Sequence, residues 1–343
     1  MSTFIIAEAG VNHNGDPALA RRLVEVAAHS GADAVKFQTF SADKLTAQGA
    51  AKAEYQKQAT GDGSQYDMLK ALEMSEHLHR ELADLCADLN IEFMSTAFDE
   101  DSLDLLVGLG IRRIKVPSGE LTNEPFLRFM AGKDLPLIVS TGMADLAEVE
   151  EAVKVIADER GALSLSGPLE DLVTILHCTS NYPTDVADVN LNAMLTMAKA
   201  TGLPVGYSDH TLGTTVAIAA VAMGAKVIEK HFTLDRSLPG PDHGASLTPE
   251  ELKSMVDSIR AVEKALGDGV KAPTATELPV RALVRRSVTT TRPLAAGTVL
   301  QPSDLTLMRP GYGIPPKALA GLFGRETTRD LAAGETVNWA DLL

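Results

Sequence analysis

A chain of 343 residues that is 45% hydrophobic and 22% charged is long enough for two domains and too apolar to be disordered or fibrous. Its 31 Lys+Arg against 46 Asp+Glu leave a formal net charge of -15, which disfavours nucleic acid and anionic membranes as partners, because cations on the protein drive such binding. Any phosphate the chain binds must then be met by a local cluster of cations. Cys86 and Cys178 lie in apolar runs and read as buried reduced thiols. The start, MSTFIIAEAGVNHNG, lacks a signal-peptide pattern, and no apolar stretch reaches the roughly 20 residues of a membrane span, so a cytoplasmic protein is expected.

From residue 4 to about 266, short β-branched runs alternate with amphipathic helical stretches. The runs are FIIAE (4–8), DAVKFQ (33–38), EFMST (92–96), RIKVPS (113–118), LIVST (137–141), VTILHC (173–178), VGYSD (205–209) and VIEKHF (227–232). Asp16-Pro17 reads as an N-cap with proline at the first helical position, and Thr248-Pro249-Glu250-Glu251 as a capping box. Eight βα units in roughly 250 residues predict an α/β fold, a (β/α)8 TIM barrel over residues 1–266. Between the second run and a helix beginning near Ser75 lies an insertion too long for an ordinary βα loop, read either as a lid over the barrel mouth or as a surface helix. A Gly/Pro/Thr-rich linker, 267–282, leads to a small β-rich module over 283–343, in which LAAGTVLQPSDL and LAAGETVNWADL suggest an internal near-repeat.

Each run begins apolar and ends polar: Glu8; Lys36 and Gln38; Ser95 and Thr96; Lys115 and Ser118; Ser140 and Thr141; His177 and Thr179; Ser208 and Asp209; Glu229 and His231. In a parallel barrel these ends meet at one rim, where active sites form. His210 and His231, 21 residues apart, fall at adjacent strand tops and suit an open site for a divalent metal. The alternative is a pair of hydrogen-bonded core histidines. Lys36 and Lys115 are flanked by apolar residues, where a bare ammonium is costly, so an anionic ligand is expected. A Schiff-base lysine and an internal salt bridge to Glu8 or Glu229 are the alternatives. Along the last run, alternation puts Glu229 on the same side as His231.

These residues lie within motifs that resemble the sialic acid synthase family, the N-acetylneuraminate synthases with their legionaminate and pseudaminate relatives. The motifs are IAEAGVNHNG, AVKFQTF, STAFDEDS, KVPSGEL, STGM, LHCTSNYPT, GYSDHTLG, IEKHFTLD and GPDHGASLTPEEL, while RRSVTTTRPLAAGTVL and RPGYGIPP resemble the family's C-terminal antifreeze-like domain. The resemblance implies condensation of phosphoenolpyruvate with an N-acetylated mannosamine-type sugar and release of phosphate. It implies Mn2+ or Mg2+ on His210 and His231, and phosphoenolpyruvate on Lys36, Thr96, Lys115, Ser118, Ser140, Ser180 and Ser208. Gln38, Glu120, Tyr182 and Asp242 would hold the sugar, with Glu8 as an acid–base or sugar-orienting group. It also implies a homodimer that exchanges its C-terminal domains, bringing Arg309 to the sugar's N-acetyl group in the partner's barrel.

Ser180, Asp185 and Tyr312 depart from residues frequent in the family, and PDHGASL is nearer the neuraminate and legionaminate members than the pseudaminate ones. N-acetylneuraminate synthesis from N-acetylmannosamine is the first expectation. Legionaminate synthesis from 2,4-diacetamido-2,4,6-trideoxymannose is its alternative, and a non-catalytic carbohydrate-binding protein is the alternative from another class.

Overall fold

A computed structural model describes residues 2–343, which divide into two compact units, one ending at Gly267 and the other comprising Asp268–Leu343. In the first, eight parallel strands close into a barrel in sequence order: β1 (Phe4–Gly10), β2 (Ala34–Thr39), β3 (Glu92–Ala97), β4 (Ile114–Val116), β5 (Leu137–Ser140), β6 (Val173–Cys178), β7 (Val205–Asp209) and β8 (Val227–His231). All eight expected runs are strands. The β-branched and aromatic residues that favour a pleated, buried surface lie in them, and turns follow where the polar residues begin.

The caps read from the sequence are formed. Asp16 accepts the Ala18 N–H at the start of the helix Pro17–Ser30, and Thr248 with Glu251 closes a capping box on Pro249–Leu266. Helices pack around the strands over the main apolar core, which includes Leu23, Val35, Leu82, Ile114, Val139 and Ile259. Inside the barrel, Ile6, Ala34, Met94, Ile138, Leu176 and Val227 form a separate plug below the strand tops. Gly206 belongs to this interior face: a Cβ there would meet the Val227 carbonyl and come within 2.7 Å of Leu176 Cδ2, so the strands approach closely only without one.

The insertion after β2 folds as three short helices, Ala42–Leu45, Glu54–Thr60 and Gln65–Lys70. Leu45, Met68, Leu69 and Leu72 join Val11, Phe40 and Phe98 in a small apolar cluster of their own. The segment is therefore packed by side chains from the loops after β1 and β3, at the C-terminal end of the barrel, and is more than one decorative surface helix.

In the second unit, β9 (Ser287–Thr290) and β10 (Leu305–Met308) pair antiparallel over a core of Val288, Leu294, Leu300, Leu305, Ile314, Leu322, Leu331, Val337 and Leu342. The near-repeat is structural. Leu294 and Leu331 exchange both backbone hydrogen bonds, at 2.9 and 2.8 Å. Arg292 pairs with Asp304 at 2.7 Å as Arg329 pairs with Asp341 at 2.8 Å. Of the segment read as a linker, 267–282, the latter part lies in a helix, Glu277–Val284. Among the described residues, no helix is long and apolar enough to cross a membrane.

Candidate active site

Strand alternation sorts the polar strand ends into two sets. Glu8, Lys36, Thr96, Lys115, Ser140, Ser208 and Glu229 sit one step above the apolar plug and point into the barrel. Gln38, Ser118, Ser180, Tyr182, His210 and His231 lie at or beyond the strand tops. Together these thirteen line a cavity of about 260 Å3 at the C-terminal mouth.

The other set faces the helices, which corrects the expectation that all polar strand ends share one rim. Ser95 and the Nε2 of His79 each lie 2.7 Å from Thr39 Oγ1. Thr141 donates to the Leu176 carbonyl at 3.0 Å, and His177 Nε2 lies 2.6 Å from the Val189 carbonyl. Asp209 pairs with Lys230 at 2.9 Å. Neighbouring residues on a strand cannot both enter the barrel, so Ser95–Thr96, Ser140–Thr141 and Ser208–Asp209 each supply one group to the cavity and one to the shell.

At the cavity floor Lys36 Nζ lies 2.7 Å from Glu8 and 3.7 Å from Glu229, whose other oxygen is 3.4 Å from Lys115. The internal salt bridge, one of the alternatives read from the sequence, is therefore formed for both lysines. Lys36 also donates to Thr96 Oγ1 at 2.9 Å, and Ser208 donates to Glu229 at 3.1 Å. Burial pushes the Glu8 carboxyl up to about 7 against the pull of Lys36. Burial also disfavours charge on Glu229, but Lys115 and Lys36 outweigh it and hold that carboxyl well below its usual range. The Lys115 ammonium is pushed down by burial, an effect only partly offset by Glu229. Two cations thus face one firmly ionised carboxylate and one poised near neutrality, so an anion entering the floor meets positive charge.

Above this cluster stand the two imidazoles, with ring centroids 5.6 Å apart and Tyr182 4.1 Å from His210. Burial lowers both histidines, His210 to about 4, and keeps them neutral. His210 Nδ1 lies 2.7 Å from the Thr179 carbonyl, so Nδ1 carries the proton and Nε2 keeps a lone pair for a ligand. His231 Nδ1 is buried without a hydrogen-bond partner, as is Ser140 Oγ. Neutral imidazoles with an unused ring nitrogen have the chemistry of metal ligands. No group of three or more His, Cys, Asp or Glu side chains suited to a metal occurs among the described residues, so a metal here would take its remaining ligands from water and substrate.

Three expected residues lie outside the cavity lining. Asp242, buried and pushed up to about 6, has a carboxylate oxygen 3.9 Å from His231 Nδ1. Glu120, half-buried in the turn after β4, accepts a hydrogen bond from Asn123 at 2.6 Å. Arg309 follows β10 in the second unit. Sequence reasoning missed Cys178, Phe98 and Met143 on the cavity wall, and with them the contact of Cys178 Sγ with Ser118 Oγ at 3.2 Å. Counting by twos from the buried Leu176 would have turned Cys178 inward. Asp185, one of the departures, caps a local turn by accepting the Ala187 N–H and is exposed.

A closed parallel barrel with lysines, carboxylates, serines and imidazoles gathered at its C-terminal mouth has the makeup of a barrel enzyme. Residues 23–271 match the NeuB family and residues 285–343 the SAF domain. The chain is 56% identical to the N,N'-diacetyllegionaminic acid synthase of Legionella pneumophila, over 99% of this chain and 94% of that one. It is 45% identical to the enzyme of the same name from Campylobacter jejuni, covering 98% of each. Among solved structures, the N-acetylneuraminic acid synthetase of Leptospira borgpetersenii superposes with a TM-score of 0.70 at 33% identity, covering 82% of this chain and 90% of that one. The chain belongs to the NeuB family, that of the sialic and nonulosonic acid synthases, and carries a C-terminal SAF domain.

Proposed function

We propose that the protein is a cytoplasmic N,N'-diacetyllegionaminate synthase, condensing phosphoenolpyruvate with the open aldehyde form of 2,4-diacetamido-2,4,6-trideoxymannose. The observation that carries this choice of sugar is the 56% and 45% identity, over nearly the whole chain, to two enzymes of that name, against 33% to an N-acetylneuraminic acid synthetase. The first expectation, N-acetylmannosamine, gives way to its alternative. The paired charges of the cavity floor, with no use in a binding module, favour an enzyme over a carbohydrate-binding protein.

In this reading Lys36 and Lys115 hold the anionic groups of phosphoenolpyruvate, and the hydroxyls of Thr96, Ser118, Ser140, Ser180 and Ser208 orient it. Ser140, buried with an unused hydroxyl, supports this role. Gln38, Glu120, Tyr182 and Asp242 are assigned to the sugar. His210 and His231 would hold Mn2+ or Mg2+, which when bound supplies Lewis acidity at the aldehyde oxygen. The methylene carbon of phosphoenolpyruvate attacks the aldehyde carbon, the aldehyde oxygen takes up a proton to become a hydroxyl, and positive charge develops at C2 of phosphoenolpyruvate. Water adds there and Glu8 takes its first proton; the hydroxyl so formed then loses its proton as the C2 ketone forms and the C–O bond to phosphate breaks. The reading includes a homodimer in which Arg309 reaches the sugar's N-acetyl group in the partner's barrel.

The test is phosphate release from phosphoenolpyruvate with Mn2+ and each sugar in turn. A higher kcat/KM with the diacetamido sugar is expected. A higher value with N-acetylmannosamine returns the assignment to N-acetylneuraminate, and no release with either sugar overturns the condensation itself.

A further inference from the structure

Behind the two histidines, on the helix-facing side of the same strands, lies an ion pair that the proposed chemistry does not use. Asp209 ends β7 and Lys230 sits in β8, as register partners across the ladder. Their side chains are 0% exposed and 2.9 Å apart. The second Asp209 oxygen accepts from both the backbone N–H and the hydroxyl of Thr211, at 2.9 and 2.8 Å, and Lys230 also donates to the Thr211 carbonyl. The four bonds form a closed loop around His210, because they tie the residue before it to the residue after it and tie both to the residue before His231.

A fully buried pair is a poor way to gain stability, since desolvating two charges offsets their attraction and apolar replacements often fold as well. Its value lies in geometry: directional, charge-assisted bonds fix two strand ends against each other more tightly than apolar contacts do. Other bonds complete the frame. Thr184 donates its N–H to the His210 carbonyl at 2.9 Å, and Leu247 does the same for His231 at 2.9 Å. Neither of these links the two histidine-bearing strands to each other. The bonds of Lys230 to Asp209, at the last ladder position, and to Thr211, just past it, do.

We propose that Asp209 and Lys230 are positioning residues whose buried ion pair sets the separation and aim of His210 and His231 for a divalent metal ion. The inference rests on the metal-binding reading of those histidines. Groups one shell behind metal ligands typically change affinity by about 10–100-fold when removed, and that range is expected here.

The experiment measures Mn2+ affinity of the full-length protein directly, by the electron paramagnetic resonance signal of free Mn2+, without substrates. The variants are Lys230→Met, the double variant Asp209→Asn/Lys230→Met, and His210→Ala as reference, each with a thermal unfolding curve. The double variant removes both charges together while its amide oxygen still accepts from the Thr211 N–H and hydroxyl, so it stays folded where Lys230→Met alone leaves Asp209 charged and unpaired. A double variant that unfolds cooperatively near the wild-type midpoint yet binds Mn2+ at least about tenfold more weakly supports the clamp. Wild-type affinity in the double variant, with affinity lost in His210→Ala, overturns the clamp and leaves the metal site standing. Wild-type affinity in His210→Ala overturns both.

Discussion

The ammonium of Lys36 stands 2.7 Å from the carboxylate of Glu8, with side-chain exposures of 3% and 2%. Such a pair is held in balance by its surroundings, and here the balance runs through Glu229, which lies within 3.7 Å of Lys36 and 3.4 Å of Lys115. Glu229→Gln leaves two buried cations facing one carboxylate. Removing one partner of a buried pair typically costs about 3–5 kcal/mol, so denaturant unfolding is expected to lose stability on that scale. Phosphate release should fall as well. An unchanged midpoint would show that the lysines find other compensation.

His13, fully buried, has one ring nitrogen accepting the Gly15 N–H and the other without a partner. Burial and the neighbouring His79 lower it to about 4. Its pKa is depressed on folding, so its contribution is complete above the unfolded value of about 6.5 and is lost as pH falls through about 4, because the unfolded chain takes up the proton first. His13→Asn keeps an acceptor for Gly15 and removes the titration. Between pH 6.5 and 4 the wild type should lose up to about 3 kcal/mol more than the variant. Parallel stability profiles of the two proteins would refute this.

Gly206→Ala drives a methyl group into the Val227 carbonyl and Leu176 inside the barrel. The loss should be about 1–3 kcal/mol, as for other overpacked cores. Since Ser208 follows on the same strand and His210 just past its end, phosphate release should also decline. A variant as stable and active as the wild type would show that the strands can part there.

Both cysteines are buried and unpaired, yet their chemistry should differ. Burial pushes the Cys86 thiol up to about 12, leaving on the order of 1 in 10,000 as thiolate at pH 8. Cys178 lines the site cavity. Iodoacetamide followed by mass spectrometry should find Cys178 carboxamidomethylated and Cys86 intact until the chain unfolds, with phosphoenolpyruvate slowing the reaction of Cys178. Modification of Cys86 first would contradict this reading.

The barrel was legible because its strands are short β-branched runs and its helices carry explicit caps, signals local enough to read without a partner. The floor of the site was only half legible. Lys36 and Lys115 announced themselves as cations in apolar strands, but their pairing with Glu8 and Glu229 stood only as an alternative, because it is a contact between residues up to 193 positions apart, which no local pattern settles. Ser95, Thr141, His177 and Asp209 looked equivalent to their neighbours until alternation turned them outward. Asp209 shows the cost most plainly: read as one more polar strand end, it forms a buried bond network that holds His210. The packing of the insertion through Phe98 depends on loops that meet only once β1, β2 and β3 have paired.

That closure gives the site a place in time. Glu8 lies on β1 and pairs across the seam with His231 on β8, so the first and last strands made must meet before the cavity exists. At a synthesis rate of roughly 5–20 residues per second, the groups concerned leave the ribosome over roughly 10 to 45 s. During that interval the nascent chain holds lysines and carboxylates that have not yet found each other. No partial barrel places Glu8 beside His231, so the charged floor and the imidazoles come together only when the last strand closes on the first.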